Sequence, residues 1–289
     1  MNAKQEWYLC GVLALAAIGS FFITSGPAQA DGFVHVYFLD VGQGDAMLVQ
    51  GPDGTQVLID GGPGRRVIQA LTSVIPLTDR SIDVVIATHT DADHLTGLVG
   101  VLEQYDVAQI IETGMACSTA TCASWEKTAT QEHASRSFAY EGYRLAMGGD
   151  VVLTILNPPQ SVHGQNLSKT NNGGIVARLE YGAQSVLFTA DVESSVERAL
   201  LGSGAVLDSD FLKIGHHGSK TSSTQEFLDA VTPQAVFIEV GATNRYGHPT
   251  MQVLDRLAQK AIPVYRTDID GTIELILDGT HYQILKNKP

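Results

Sequence analysis

The sequence predicts an α/β fold, and three observations lead there. Short runs rich in β-branched and aromatic residues alternate with segments of helical spacing. Consecutive strand pairs, joined by turn residues, stand at both ends of that alternation. Ligand-type side chains recur just past apolar strands, where α/β proteins build their sites. Composition sets the bounds. The 289 residues are 44% hydrophobic and 17% charged, with 18 basic against 31 acidic residues and a net charge of −13. A chain of this size buries roughly three quarters of the surface its unfolded form exposes, so its core needs no covalent staple. The acidic balance excludes a strongly basic, non-specific nucleic-acid binder, whose affinity comes from Lys and Arg neutralising phosphates.

The elements follow in chain order. Residues 1–30 have a polar start carrying Lys4, an apolar run over 7–23, and Ala28 and Ala30 before Asp31. This is the layout of a secretory signal peptide cleaved after Ala30. The alternative is an uncleaved anchor, since the run is at the short end of a bilayer span. No second apolar run of spanning length follows. Residues 31–289 are therefore expected to form one exported domain, periplasmic or extracellular, with no stable membrane insertion after cleavage. Strands are expected over 34–39, 46–50 and 56–59, the last two joined by Pro52-Asp53-Gly54-Thr55. A helix over 65–74, a buried strand over 84–87, a helix over 95–105 and a strand over 108–112 come next.

Residues 114–150 are polar and poorly periodic, with a helix expected over 124–140. Within them, Cys117 and Cys122 have no histidine nearby, and in an oxidising compartment they are expected to pair as a short-loop disulfide. A structural zinc would need two more ligands. Strands follow over 151–156, 175–181, 185–189 and 211–214, then 235–240 and 263–265 around a helix over 251–260. A hairpin of 272–277 and 281–285 closes the chain, with no internal repeat, charge block or separating linker along the way.

The strongest chemical signal is His89-Thr90-Asp91-Ala92-Asp93-His94, directly after the strand at 84–87. Two imidazoles and two carboxylates within six residues are ligands that suit zinc, manganese or iron. Asp191 ends another apolar strand, where it is either a ligand or the N-cap of a helix over 192–201. His216-His217-Gly218-Ser219 follows the strand at 211–214, as ligands or as a solvated turn. A shared metal site unites the three strand ends.

This pattern resembles the metallo-β-lactamase superfamily, and more narrowly the hydrolase domain of ComEC-type DNA-uptake proteins. Phe38-Leu39-Asp40-Val41-Gly42-Gln43-Gly44-Asp45-Ala46 is similar to that group's opening signature, and Asn244-Arg245-Tyr246-Gly247-His248-Pro249 to its late motif. The resemblance covers residues 33–286 and implies a four-layer αββα sandwich with a metal site at one edge of its two sheets. It implies one or two divalent metals, zinc or manganese. His89 and Asp91 would serve one, with Asp91 standing where most members carry a second histidine. Asp93, His94 and His217 would serve the other, and Asp191 would bridge. The order of His216 and His217 stays open, with His216 as the phosphate contact in the preferred assignment. The usual middle histidine has no counterpart. The region where it would fall, Lys169-Thr170-Asn171-Asn172-Gly173-Gly174, is similar to an asparagine motif of the ComEC group, and His163 lies nearby.

The chemistry implied is attack on a phosphodiester by hydroxide from metal-bound water, whose pKa falls from about 15.7 towards 7. Asp93 would orient the nucleophile as well as ligate. His248 would donate a proton or contact phosphate, unless it is only a turn residue before Pro249. Asn172, Ser219 and Lys220 would bind substrate, Lys220 being equally readable as an ordinary exposed lysine. Gly42, Gly44, Gly61 and Gly62 read as tight turns near the site. The substrate expected is DNA or a small phosphodiester. The charge of −13 disfavours a polyanion unless Arg65, Arg66, Lys213, Lys220 and Arg245 form a basic strip. Hydrolysis of an amide or ester, including a β-lactam, and a non-catalytic metal-binding module are the alternatives. Protein partners are not indicated.

Overall fold

A computed structural model describes residues 30–288; the expected leader, apart from Ala30, lies outside the described residues. The chain opens with β1 (Val34–Phe38), β2 (Met47–Gln50) and β3 (Gln56–Ile59), then α1 (Arg66–Val74), β4 (Ser81–Ala87) and α2 (Ala92–Leu102). There follow β5 (Asp106–Glu112), α3 (Ala120–Gln131), β6 (Ser135–Phe138), β7 (Arg144–Ala146) and β8 (Val152–Asn157). After a 3-10 turn at Thr170–Gly173 come β9 (Val176–Tyr181), β10 (Gln184–Phe188), α4 (Ser194–Ser203) and β11 (Phe211–Lys213). A second such turn, Gly215–Gly218, leads to α5 (Gln225–Val231), β12 (Ala235–Ile238), α6 (Met251–Gln259), β13 (Val264–Arg266), α7 (Thr267–Asp270), β14 (Ile273–Leu277) and β15 (Tyr282–Lys286).

The strands form two sheets, ordered β15-β14-β1-β2-β3-β4-β5-β6 and β13-β12-β11-β10-β9-β8-β7. Their inner faces meet in one apolar layer, in which Val36, Phe38, Ile59 and Ile86 face Leu179, Phe188, Phe211 and Phe237. Phe38 stacks on Phe237 across it, with ring centroids 4.1 Å apart. A second cluster packs Leu71, Leu98 and Trp125 of α1, α2 and α3 on the outer face of the first sheet. A third packs Val196, Phe227 and Leu257 of α4, α5 and α6 on the outer face of the second. The result is the αββα layering that lets both sheets bury both faces. Strands β2 and β3 are buried at every position, which explains their apolar runs Met47-Leu48-Val49 and Val57-Leu58-Ile59.

The helix expected over 124–140 is wrong at both ends. Helix α3 begins at Ala120, where the Thr119 hydroxyl accepts a hydrogen bond from the Cys122 amide, and it stops at Gln131. Residues 135–138 instead form β6, because pairing in parallel with β5 satisfies their backbone groups. Helix α5 escaped the sequence reading, since seven residues are too few to display a helical period. Helix α4 begins at Ser194 with Glu193 as its N-cap, so Asp191 is not the cap and its carboxylate is free for other work.

Strands β3, β4 and β5 run parallel, as do β10, β11 and β12. The loops after their C-terminal ends meet at one edge of the sandwich. Helix α2 comes close to the turn after β3 because Gly97 carries no Cβ; one there would collide with the Gly61 carbonyl. That approach places the start of α2 directly over Asp60.

Candidate metal centre

The loop between β4 and α2 carries His89 at its start, and the first turn of α2 carries Asp93 and His94. The turns after β10 and β11 carry Asp191, His216 and His217. The His89 and His94 rings lie 4.1 Å apart between centroids, and His94 and His217 lie 5.4 Å apart. Asp191 Oδ2 stands 3.3 Å from both His94 Nε2 and His217 Nε2, and 3.7 Å from His216 Nε2. Asp93 Oδ2 is 3.4 Å from His217 Nε2. The Nε2 atoms of His89, His94 and His217 are all buried without a hydrogen-bond partner, as is Asp191 Oδ1.

The opposite ring nitrogens explain which way these imidazoles present themselves. His217 Nδ1 lies 2.9 Å from the Glu239 carbonyl oxygen, which can only accept. His94 Nδ1 lies 2.8 Å from Asp60 Oδ2. The Thr88 hydroxyl donates to the same Asp60 oxygen at 2.6 Å, which leaves its lone pair for His89 Nδ1 at 2.9 Å. Each ring in its neutral form thus carries its proton on Nδ1 and turns an Nε2 lone pair inward. Such outer partners fix the tautomer and raise ligand basicity at histidine metal sites. Unpartnered buried nitrogens cost free energy unless something binds them. The donor set fits a divalent metal of intermediate hardness.

A buried charge network lies underneath. Asp45, fully buried, pairs with the Lys213 ammonium and stands 3.1 Å from His217 Nδ1. Lys213 also donates to the Ala190 carbonyl at 3.1 Å and lies 3.7 Å from Asp191 Oδ1. Burial lowers the pKa of His94, but Asp191, Asp60 and Asp45 overcome it and hold the ring well above the usual histidine range. His217 behaves alike, with Asp191 and Asp45 outweighing burial. His89 goes the other way, lowered by burial and by His94. Burial raises Asp191, yet His217 and His94 hold its carboxyl well below the ordinary range. Strain collects here too. Asp60, Ala190, His216 and His217 all have φ between 43° and 58°, a left-handed conformation that non-glycine residues rarely adopt.

The structure brings together His89, Asp93, His94, Asp191 and His217, five of the residues singled out from the sequence. Asp91 stands at the rim, with its Oδ2 4.0 Å from His89 Nε2 and its Oδ1 accepting the Thr170 hydroxyl at 2.6 Å. Asn172 lies in the same segment and receives the Glu193 amide on its side-chain oxygen at 3.1 Å. His216 is a quarter exposed beside Asp191, and the His248 ring packs against it with centroids 5.6 Å apart. Burial, then His216 and His217, lower the pKa of His248. Ser219 is buried and holds the Thr221 amide at 3.3 Å, while Lys220 is exposed. His163 stacks on Phe138 at 3.8 Å between centroids, apart from the cluster. Cys117 and Cys122 form a disulfide with Cα atoms 6.0 Å apart.

The proposed basic strip loses Lys213, which is 0% exposed: its ammonium is taken by Asp45 in the interior. Asp45, Asp60 and Glu239 were not singled out from the sequence. Glycines beside the first two invited a turn reading, and the cue that distinguishes them is a carboxylate set directly against an apolar strand.

The family model of the metallo-beta-lactamase superfamily matches residues 39–238, and the chain belongs to that superfamily. It is 31% identical over 256 residues to ComE operon protein 3 of Bacillus subtilis (strain 168), covering 83% of this chain and 32% of that protein. It is 29% identical over 273 residues to Competence protein ComA of Neisseria gonorrhoeae, covering 91% and 35%. The chain spans about a third of the length of these curated relatives. Among solved structures, Tm1679, a metal-dependent hydrolase of the beta-lactamase superfamily, matches with a TM-score of 0.53 at 12% identity, covering 84% of this chain and 98% of that one. YhfI from Bacillus subtilis, a metallo-beta-lactamase fold protein, matches with a TM-score of 0.51 at 13% identity over 80% and 95%. Both likenesses show the fold. Among the described residues, no helix is long and apolar enough to cross a membrane.

Proposed function

We propose that the protein is an exported metal-dependent hydrolase that cleaves phosphodiesters. The observation that carries this is the convergence of three unpartnered imidazole Nε2 atoms with the carboxylates of Asp93 and Asp191 on one space. In this reading His94, His217, Asp93 and Asp191 hold one divalent ion, zinc or manganese. His89 and Asp91 form the arm for a second. A bound divalent ion there supplies a Lewis acid that polarises a substrate oxygen and acidifies a nearby water.

The chain's own groups do the rest. Asp93, a third exposed at its side chain, accepts a hydrogen bond from the attacking water and orients it as well as ligating. His216 and His248 line the open side together, and His248, held below the usual histidine range by burial, is neutral at pH 7 and steadies a phosphate oxygen or the leaving group. Lys220, exposed beyond the Gly215–Gly218 turn, supplies a cation, and Ser219 and Asn172 hold the surrounding turns in place. Asp91, in place of a second histidine, makes the set richer in carboxylates, which suits phosphoryl chemistry better than β-lactam opening. The relatives named for competence favour DNA as one substrate, and the net charge of −13 favours a small phosphodiester as the other. The Cys117–Cys122 disulfide supports an oxidising compartment.

The test is hydrolysis of bis(p-nitrophenyl) phosphate by metal-stripped protein, with zinc or manganese added back in turn. Turnover restored by either metal is the expected result. No turnover, with metal binding verified by elemental analysis, refutes the phosphodiesterase reading.

A further inference from the structure

A cavity of about 300 Å³ opens beside the metal centre, and His89 and Thr90 belong to its wall. In the proposed reading, anything bound in it lies beside the reacting group on the His89 side. Trp125, Phe138, Met115 and the disulfide supply its apolar part. The disulfide sulfur of Cys122 lies 3.7 Å from the Thr90 carbonyl oxygen, so this wall rests on the loop that carries His89. Gly114 permits the stack of Phe138 on His163 that closes one side: a Cβ there would sit 2.6 Å from both rings.

The charges in the wall are already committed. Glu112 accepts from Trp125 Nε1 at 2.9 Å and from Arg136 Nε at 2.9 Å. Arg136 Nη1 and Nη2 donate to Glu126 at 2.9 and 2.8 Å. Two carboxylates share one guanidinium, so on the side away from His89 the wall offers an anionic group no unclaimed arginine. Size points the same way, since an apolar cavity of about 150 Å³ accommodates benzene. Twice that volume holds a ring with its linker.

We propose that this cavity is a specificity subsite for an uncharged, ring-sized organic substituent of the substrate. The preferred substrate then carries its scissile bond next to such a group, at the end of a chain or in a small molecule, rather than between anionic neighbours. This rests on the phosphodiesterase reading above and narrows it.

The test compares p-nitrophenyl phosphodiesters whose second substituent is methyl, benzyl or 4-carboxybenzyl, using the metal-loaded full chain. All three release the same leaving group. The benzyl ester is expected to exceed the methyl ester at least tenfold in kcat/KM, mainly through KM, and the carboxybenzyl ester to lose that gain. In Phe138→Ala the benzyl-to-methyl ratio is expected to fall below threefold. Equal values for methyl and benzyl, or a preference for carboxybenzyl, overturn the subsite. If no ester turns over, the phosphodiesterase reading fails on its own, and binding still decides the cavity. Trp125 is the only tryptophan besides Trp7, so in Trp7→Phe its fluorescence reports the wall. Benzyl methyl phosphate should change that emission and dimethyl phosphate should not; the absence of a benzyl-specific change overturns the subsite as well.

Discussion

Replacing Lys213 with Met leaves the Asp45 carboxylate buried without its principal cation. Both side chains are 0% exposed, so water cannot take the partner's place. Removing one member of a buried ion pair costs about 3–5 kcal/mol. Asp45 keeps His217 Nδ1 at 3.1 Å, which places the expected cost near the lower end, about 3 kcal/mol. At roughly 2–4 °C per kcal/mol this lowers Tm by about 6–12 °C. The measurement is urea unfolding at pH 7 with EDTA, so that metal adds nothing to stability. Asp45→Asn and the double variant complete a cycle, with a coupling of at least about 2 kcal/mol expected. A Lys213→Met protein within 1 kcal/mol of wild type, or additive single effects, refutes the pairing argument.

Three further outcomes follow from the same geometry. Asp93→Ala should lower kcat by roughly 10³-fold or more with far-UV circular dichroism unchanged, because the proposed function has the residue orient water and contact the metal while a third of its side chain faces solvent; full turnover would remove it from the site. Asp60→Asn should weaken zinc binding about 10–100-fold in chelator competition, since His94 Nδ1 loses its carboxylate at 2.8 Å. The pH dependence has a definite sign. Burial lowers the pKa of His94 and His217, yet the surrounding carboxylates, Asp191 foremost, hold both above the unfolded value of about 6.5. Their contribution is full below pH ~6.5 and is lost as pH rises through the folded values. Metal-free protein should therefore melt at progressively lower temperature from about pH 6.5 upward, while zinc-loaded protein gains as protons leave its ligands; a flat profile in EDTA contradicts this.

The residues of the candidate metal centre were legible because their information is local. His89, Asp91, Asp93 and His94 follow an apolar strand at short spacing, and Asp191 and His217 repeat the arrangement elsewhere. What lies beneath them was not. Lys213 and Asp45 are 168 positions apart, and an isolated lysine is ordinarily exposed, so nothing local marks this one as buried. Asp60 supports His94 from 34 positions away, hidden by the turn that its glycine neighbours suggest. The central strands declared themselves through unbroken apolar runs. The short edge strands β6 and β7 did not, because their pairing depends on partners that only the folded chain supplies.

The two sheets contribute opposite sides of the metal centre. Asp60 and His89 stand on loops of the first and His94 on the first turn of α2 that follows it, Asp191 and His217 on turns of the second. In the proposed reading, an ion held between them would act as a rivet through the seam of the sandwich. At a thousandfold excess over its dissociation constant, a ligand that binds only the folded state adds about 4.1 kcal/mol of stability. Here that increment would fall across the join between the sheets, so that chelation loosens the sandwich at the edge where substrate enters.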